Sequence, residues 1–71
     1  MRNYYNAPWS HSQDSRTDAI SVHYSGDTIA EIPGDAVRDA GIETEPGFEQ
    51  RQFVFYACID EIQQAIDMER E

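Results

Sequence analysis

Lysine is absent from this chain: its five basic residues are all arginine, they face 14 carboxylates, and the formal net charge is −9. A surface of that sign repels nucleic acid and attracts basic proteins, so direct nucleic-acid binding is not expected. Cysteine is nearly absent as well. A lone Cys58 cannot close an internal bridge, which removes the disulfide-stapled secreted scaffold. No stretch approaches the roughly 20 apolar residues of a membrane span, and residues 1–9 lack the apolar run of a signal peptide. A cytoplasmic protein with no membrane partner is expected. The sequence also lacks a phosphate-cradling glycine loop, the D-x-D-x-D-G order of a calcium loop, and the C-x-x-C or H-x-x-x-H spacings of zinc sites. Neither a metal nor a cofactor is expected.

What is present suits one small folded domain. Apolar residues make up 39% and aromatics 11% of the 71 residues, richer than disordered chains of similar charge. A chain near 60 residues hides only about 60% of its unfolded surface, so the core is thin and stability marginal.

Residues 1–17 show neither helical nor strand period and read as an irregular arm ahead of a single α+β domain at residues 18–71. Tyr4, Tyr5 and Trp9 lie in that arm. They either pack onto the domain or stand exposed as a contact patch, since Tyr and Trp are enriched in interface hot spots. From Ala19 the pattern alternates, with Ile20, Val22 and Tyr24 on one face and Ser21 and His23 on the other, as in a half-buried strand. A turn at Ser25-Gly26-Asp27 and a second extended run over 28–32 predict a β-hairpin. Pro33 favours extended geometry before it and a helix start after it. Residues 34–40 then read as a short helix closed by Gly41 in a left-handed cap. A Pro-Gly-punctuated acidic loop follows.

Residues 52–59, Gln-Phe-Val-Phe-Tyr-Ala-Cys-Ile, are aromatic and β-branched on both faces and read as a central strand. Asp60 with Gln63 has the form of a capping box for a helix running to about Glu69. Its apolar stripe is Ile59, Ile62, Ala65, Ile66 and Met68. The expected fold is α+β, a small antiparallel sheet of about three strands in the order β-β-α-β-α, with the C-terminal helix packed on one face.

Catalysis requires a nucleophile or acid/base group held beside a partner, and no such pairing is legible here. His11 and His23 fall in different elements, and His23 reads as a polar residue on the solvent face of its strand. Cys58 alternates with Val54 and Tyr56 and reads as a core residue; its neighbours Asp60 and Glu61 oppose a thiolate. The carboxylates are too many and too crowded for acid catalysis, which wants one carboxyl isolated in an apolar pocket.

The acids themselves are the strongest feature. Asp27, Glu31, Asp35, Asp39 and Glu43 recur every four residues, with Glu45 and Glu49 beyond, against Arg38 alone. A second acidic block fills residues 60–71, whereas the arm carries Arg2 and Arg16 against Asp14. Duplex DNA presents about one negative charge per 1.7 Å of its axis, and proteins that hold it line up Lys and Arg to match. Dense carboxylates on a compact protein can compete for such a groove. Plain solubility, or adaptation to high salt, would also produce an acidic chain poor in lysine.

In size, acidity, lack of a catalytic constellation and α+β order, the whole chain resembles the small phage-encoded inhibitors of bacterial defence, above all the anti-CRISPR proteins. The resemblance implies an inhibitor that acts as a nucleic-acid mimic on the basic surface of a CRISPR effector complex. Residues 31–42, Glu-Ile-Pro-Gly-Asp-Ala-Val-Arg-Asp-Ala-Gly-Ile, are similar to the strand, Ile-Pro, helix, Ala-Gly-Ile passage of AbrB/MazE-type swapped-hairpin transcription factors. That likeness implies a dimeric regulator or antitoxin, although four acids stand where those domains place basic residues. The expectation is thus a non-enzymatic inhibitor, monomer or homodimer, that binds a basic nucleic-acid-binding protein or complex through Asp27, Glu31, Asp35, Asp39, Glu43, Glu45 and Glu49. Tyr4, Tyr5 or Trp9 would serve as anchors.

Overall fold

Three strands and three helices follow one another in a computed structural model that describes residues 8–42 and 47–69. They are β1 (Trp9–Gln13), β2 (Ile20–Tyr24), β3 (Asp27–Ile32), α1 (Gly34–Ala40), α2 (Phe48–Ala57) and α3 (Ile59–Glu69). The strands pair in chain order, β1-β2-β3, and both pairings are antiparallel. The α+β class, the three-stranded antiparallel sheet and the C-terminal helix are as expected. The order of elements is β-β-β-α-α-α.

The hairpin forms because alternation and turn chemistry agree. Ser25 and Gly26 both have positive φ, 53° and 85°, the geometry of the two-residue turn whose twist matches that of antiparallel strands. Tyr24 pairs with Asp27, His23 with Thr28, and Val22 with Ala30, so Ile29 is an extra residue and β3 bulges there. Past the bulge, Ile20 opposite Ile32 and Val22 opposite Ala30 share the face that meets the helices.

Two segments differ from the sequence-based reading. Residues 9–13, taken as irregular, form β1, with Trp9 opposite Tyr24, His11 opposite Val22 and Gln13 opposite Ile20. Large Trp9, His11 and Gln13 alternate with small Ser10 and Ser12, so the strand period was present, hidden by polar side chains at inward positions. Residues 52–59, taken as a strand, belong instead to α2 and its junction with α3. The helix starts upstream in Phe-Glu-Gln-Arg-Gln, where Glu, Gln and Arg are good helix formers, and β1 supplies the third strand of the sheet at its edge, with β2 in the central place expected for 52–59. Strand propensity is a packing preference and yields to context.

The 34–40 helix is as expected, and Gly41 closes it with φ 70° and ψ 23°, its N–H donating to the Arg38 carbonyl. Gly34 is required by close approach, because a Cβ there would lie 1.8 Å from the Thr17 carbonyl oxygen. α1 is therefore seated against the β1–β2 loop. Cys58 joins α2 to α3: its N–H donates to the Val54 carbonyl, and its own carbonyl accepts from Ile62 N–H. The capping-box reading of Asp60 is corrected, since Asp60 and Glu61 lie inside the first turn of α3, where negative charge suits the helix dipole.

Every element supplies the core. Trp9, Ile20, Val22, Ile32, Val37, Val54, Cys58, Ile62 and Ile66 are buried together, and Phe53 and Phe55 pack against them half-buried. Full burial of one such aliphatic side chain stabilises the fold by about 1.5–3 kcal/mol. Cys58 is buried as expected, at a helix junction and not in a strand. Burial, with Glu61 nearby, raises its thiol pKa.

Candidate functional site

β1 and α2 meet through a polar chain. Gln50 is 3% exposed. Its Oε1 lies 3.1 Å from His11 Nε2, and its Nε2 donates to Gln13 Oε1 at 3.1 Å. Gln13 Nε2 donates in turn to the Asp18 carbonyl at 3.0 Å. With the Gln50 oxygen accepting, His11 carries its proton on Nε2. Burial lowers the His11 pKa, partly offset by the Gln50 hydrogen bond, and the charges of Arg51 and His23 lower it further. At the next position of α2, the Arg51 guanidinium sits 3.9 Å from the Trp9 ring centroid and donates to the Trp9 carbonyl at 3.3 Å. Phe55 stacks on the same indole at 6.5 Å. These contacts fix α2 on β1.

The sheet's other face carries Ser10, Ser12, Ser21, His23, Thr28 and Glu31 as cross-strand neighbours. His23 is half-buried there, with Nε2 3.0 Å from Ser12 Oγ and Nδ1 3.2 Å from Thr28 Oγ1. Serine beside imidazole is the start of a hydrolytic arrangement. A threonine hydroxyl, however, occupies the place of the orienting carboxylate.

The expected contact acids are spread over several elements. Asp27 opens β3 at the hairpin turn, and the five steps to Ile32 span about 16 Å at strand rise, so Asp27 and the α1 acids lie at opposite ends of the strand. Glu31, cross-strand from Ser21, lies on the polar sheet face. Asp35 and Asp39 sit four residues apart on α1, and Glu49 is in the first turn of α2. All five are exposed. Arg38 bonds to Asp35, to Asp18 Oδ2 at 3.0 Å and to the Thr17 carbonyl at 3.4 Å. These carboxylates raise its pKa, the Asp18 hydrogen bond most of all. Asp27, Glu31, Asp39 and Glu49 have no cationic partner among the described residues. Tyr4, Tyr5, Glu43 and Glu45 lie outside the described residues. Trp9 is 4% exposed; of its two readings, packing onto the domain is the one observed.

An open groove of about 580 Å³ lies along α2, lined by Ile42, Glu49, Gln52, Phe53, Tyr56 and Ala57. Sequence reasoning missed it because a strand at 52–59 places Phe53 and Tyr56 on opposite faces. Helical spacing puts positions 49, 52, 53, 56 and 57 on one side. Among the described residues no group of three or more His, Cys, Asp or Glu is placed to hold a metal ion, and no helix is long and apolar enough to cross a membrane.

No family model, curated protein or solved structure matches the chain.

Proposed function

We propose that this protein is a non-enzymatic binding module that sets its carboxylates against the Arg/Lys-lined, nucleic-acid-binding surface of a partner protein or complex and so excludes the nucleic acid. A cytoplasmic inhibitor of the anti-CRISPR type, acting on a CRISPR effector, is the specific form of this reading. The observation that carries it is the state of the charges: Asp27, Glu31, Asp39 and Glu49 are exposed without cationic partners among the described residues. Of the described arginines, Arg38 is engaged by Asp18 and Asp35, Arg51 lies on Trp9, and Arg16 forms no ion pair with these four carboxylates. Exposed charges of this kind steer encounter and make a complex salt-sensitive.

Capture of partners from the native host with the tagged full chain, followed by binding at rising salt, tests the reading. The partner is expected to be a basic nucleic-acid-binding protein, released as salt rises. Reversal of Glu31, Asp39 and Glu49 to Lys is expected to weaken binding at least tenfold with the circular dichroism unchanged. Binding that survives the triple reversal would overturn the proposal.

An AbrB/MazE-like regulator or antitoxin is the second reading. What favours it is local: residues 31–42 run as the end of a strand, Pro33, a short helix and a left-handed Gly41, the order found in that family's passage. Duplex DNA shifted in a gel by a dimeric form of the protein would select it.

A further inference from the structure

α2 is apolar on two sides. Val54 is buried and Phe53 and Phe55 pack against the core, yet Phe48 and Tyr56 on the same helix are 68% and 67% exposed. Phe48, Gln52 and Tyr56 are spaced four apart and form one ridge along the helix. Glu49, Phe53 and Ala57, also four apart, form the next row, and this row lines the groove with Gln52, Tyr56 and Ile42 from the segment after α1. A surface helix in a domain this small normally confines its apolar residues to one stripe. Tyr56 and Ala57, with the outer edge of Phe53, thus give α2 an apolar side outside the core.

The lining dictates the occupant. Among the described residues its one charged side chain is Glu49 and none is a cation, so nucleic acid and anionic lipid find nothing there to pair with. A second copy would bring another Glu49 and a further net charge of −9 to the contact, and like charges oppose it. A basic polypeptide meets neither obstacle. An aliphatic or aromatic side chain can enter between Phe53 and Tyr56, while an adjacent arginine pairs with Glu49 or lies on the Tyr56 ring.

We infer that the groove formed by Ile42, Phe53, Tyr56 and Ala57 seats one apolar side chain of a short basic segment of a partner protein, with Glu49 pairing an arginine or lysine beside it. The inference rests on the acidic-docking reading above and adds the anchor that sets residence time, since a few desolvated contacts dominate binding energy while rim charges set the approach.

Two synthetic peptides test it, Arg-Arg-Leu-Arg-Arg and Arg-Arg-Ala-Arg-Arg, titrated into the full-length isotope-labelled protein at low salt. The leucine peptide is expected to shift the amide signals of Ile42, Gln52, Phe53 and Ala57 and to bind about tenfold more tightly than the alanine peptide, as burial of its extra carbons requires. Tyr56→Ala should erase that difference and leave the thermal midpoint unchanged, because the side chain is mostly exposed. Glu49→Gln should weaken both peptides. Equal binding of the two peptides, with shifts confined to residues bearing carboxylates, would overturn the groove and leave the acidic reading standing. No binding of either would overturn both. A concentration-dependent dimer abolished by Tyr56→Ala would assign the groove to a second copy and overturn the inference.

Discussion

α2 and α3 are consecutive helices of ten and eleven residues hinged at Cys58, and they treat their apolar side chains in opposite ways. α3 turns Ile62 and Ile66 inward and shows Asp60, Glu61, Gln63 and Gln64 to solvent. α2 buries a glutamine with Val54 and shows Phe48 and Tyr56 outward. α3 is placed on the sheet by its buried isoleucines, with Ser25 Oγ donating to Glu69 at 3.1 Å near its end. α2 is held by particular contacts, the His11–Gln50–Gln13 chain and Arg51 on Trp9, and these do not require Tyr56 to be buried.

The contrast can be broken most forcefully at Ile62. Ile62→Ala removes a fully buried side chain from α3 and is expected to cost about 2–5 kcal/mol, a large share of the stability of so small a domain. Urea denaturation measures it, and a cost below about 1 kcal/mol would mean that α3 does not depend on its apolar stripe. Gln50→Ala comes next. It strands the His11 N–H and the Gln13 carbonyl oxygen near the core, at an expected cost of about 1–3 kcal/mol in the same assay.

Acidification is a gentler probe of the same junction. Burial holds His11 below its ordinary pKa of 6.5, so the unfolded chain takes up a proton at a pH where the folded chain does not. Stability is then complete above 6.5, falls as the pH drops through 6.5 towards the folded value, and levels off below it. Denaturation midpoints between about pH 8 and about pH 5 should trace that fall, and His11→Gln should flatten it. The smallest effect belongs to the outer side of α2, where Tyr56→Ala should change stability by no more than about 0.5 kcal/mol.

The legibility of the fold in the sequence divides along the same line. The β2–β3 hairpin, the helix before Gly41 and the α3 stripe could be read because local signals and burial agree there: Ile20 and Val22 alternate and are buried, Gly41 adopts the left-handed cap, and Ile62 and Ile66 recur at helical spacing. α2 was misread because Phe53 to Tyr56 has strand composition, while its helical register depends on Gln50 meeting His11 and Gln13 from a strand 37 to 39 residues away in the chain. Polar side chains at inward positions of β1 concealed that strand for the same reason. Of the candidate site, the acids were legible as composition; the groove required knowing that 49, 53 and 57 share one side of a helix.

The meander of the sheet bears on how the chain comes together. β1, β2 and β3 pair only with their neighbours in sequence, so residues 9–32 hold every partner the ladder needs before α1 has emerged from the ribosome. Local pairings of this kind form quickly. The ladder made in this way still shows Ile20 and Val22 to water until the helices arrive, and during that interval the nascent chain is most exposed to aggregation.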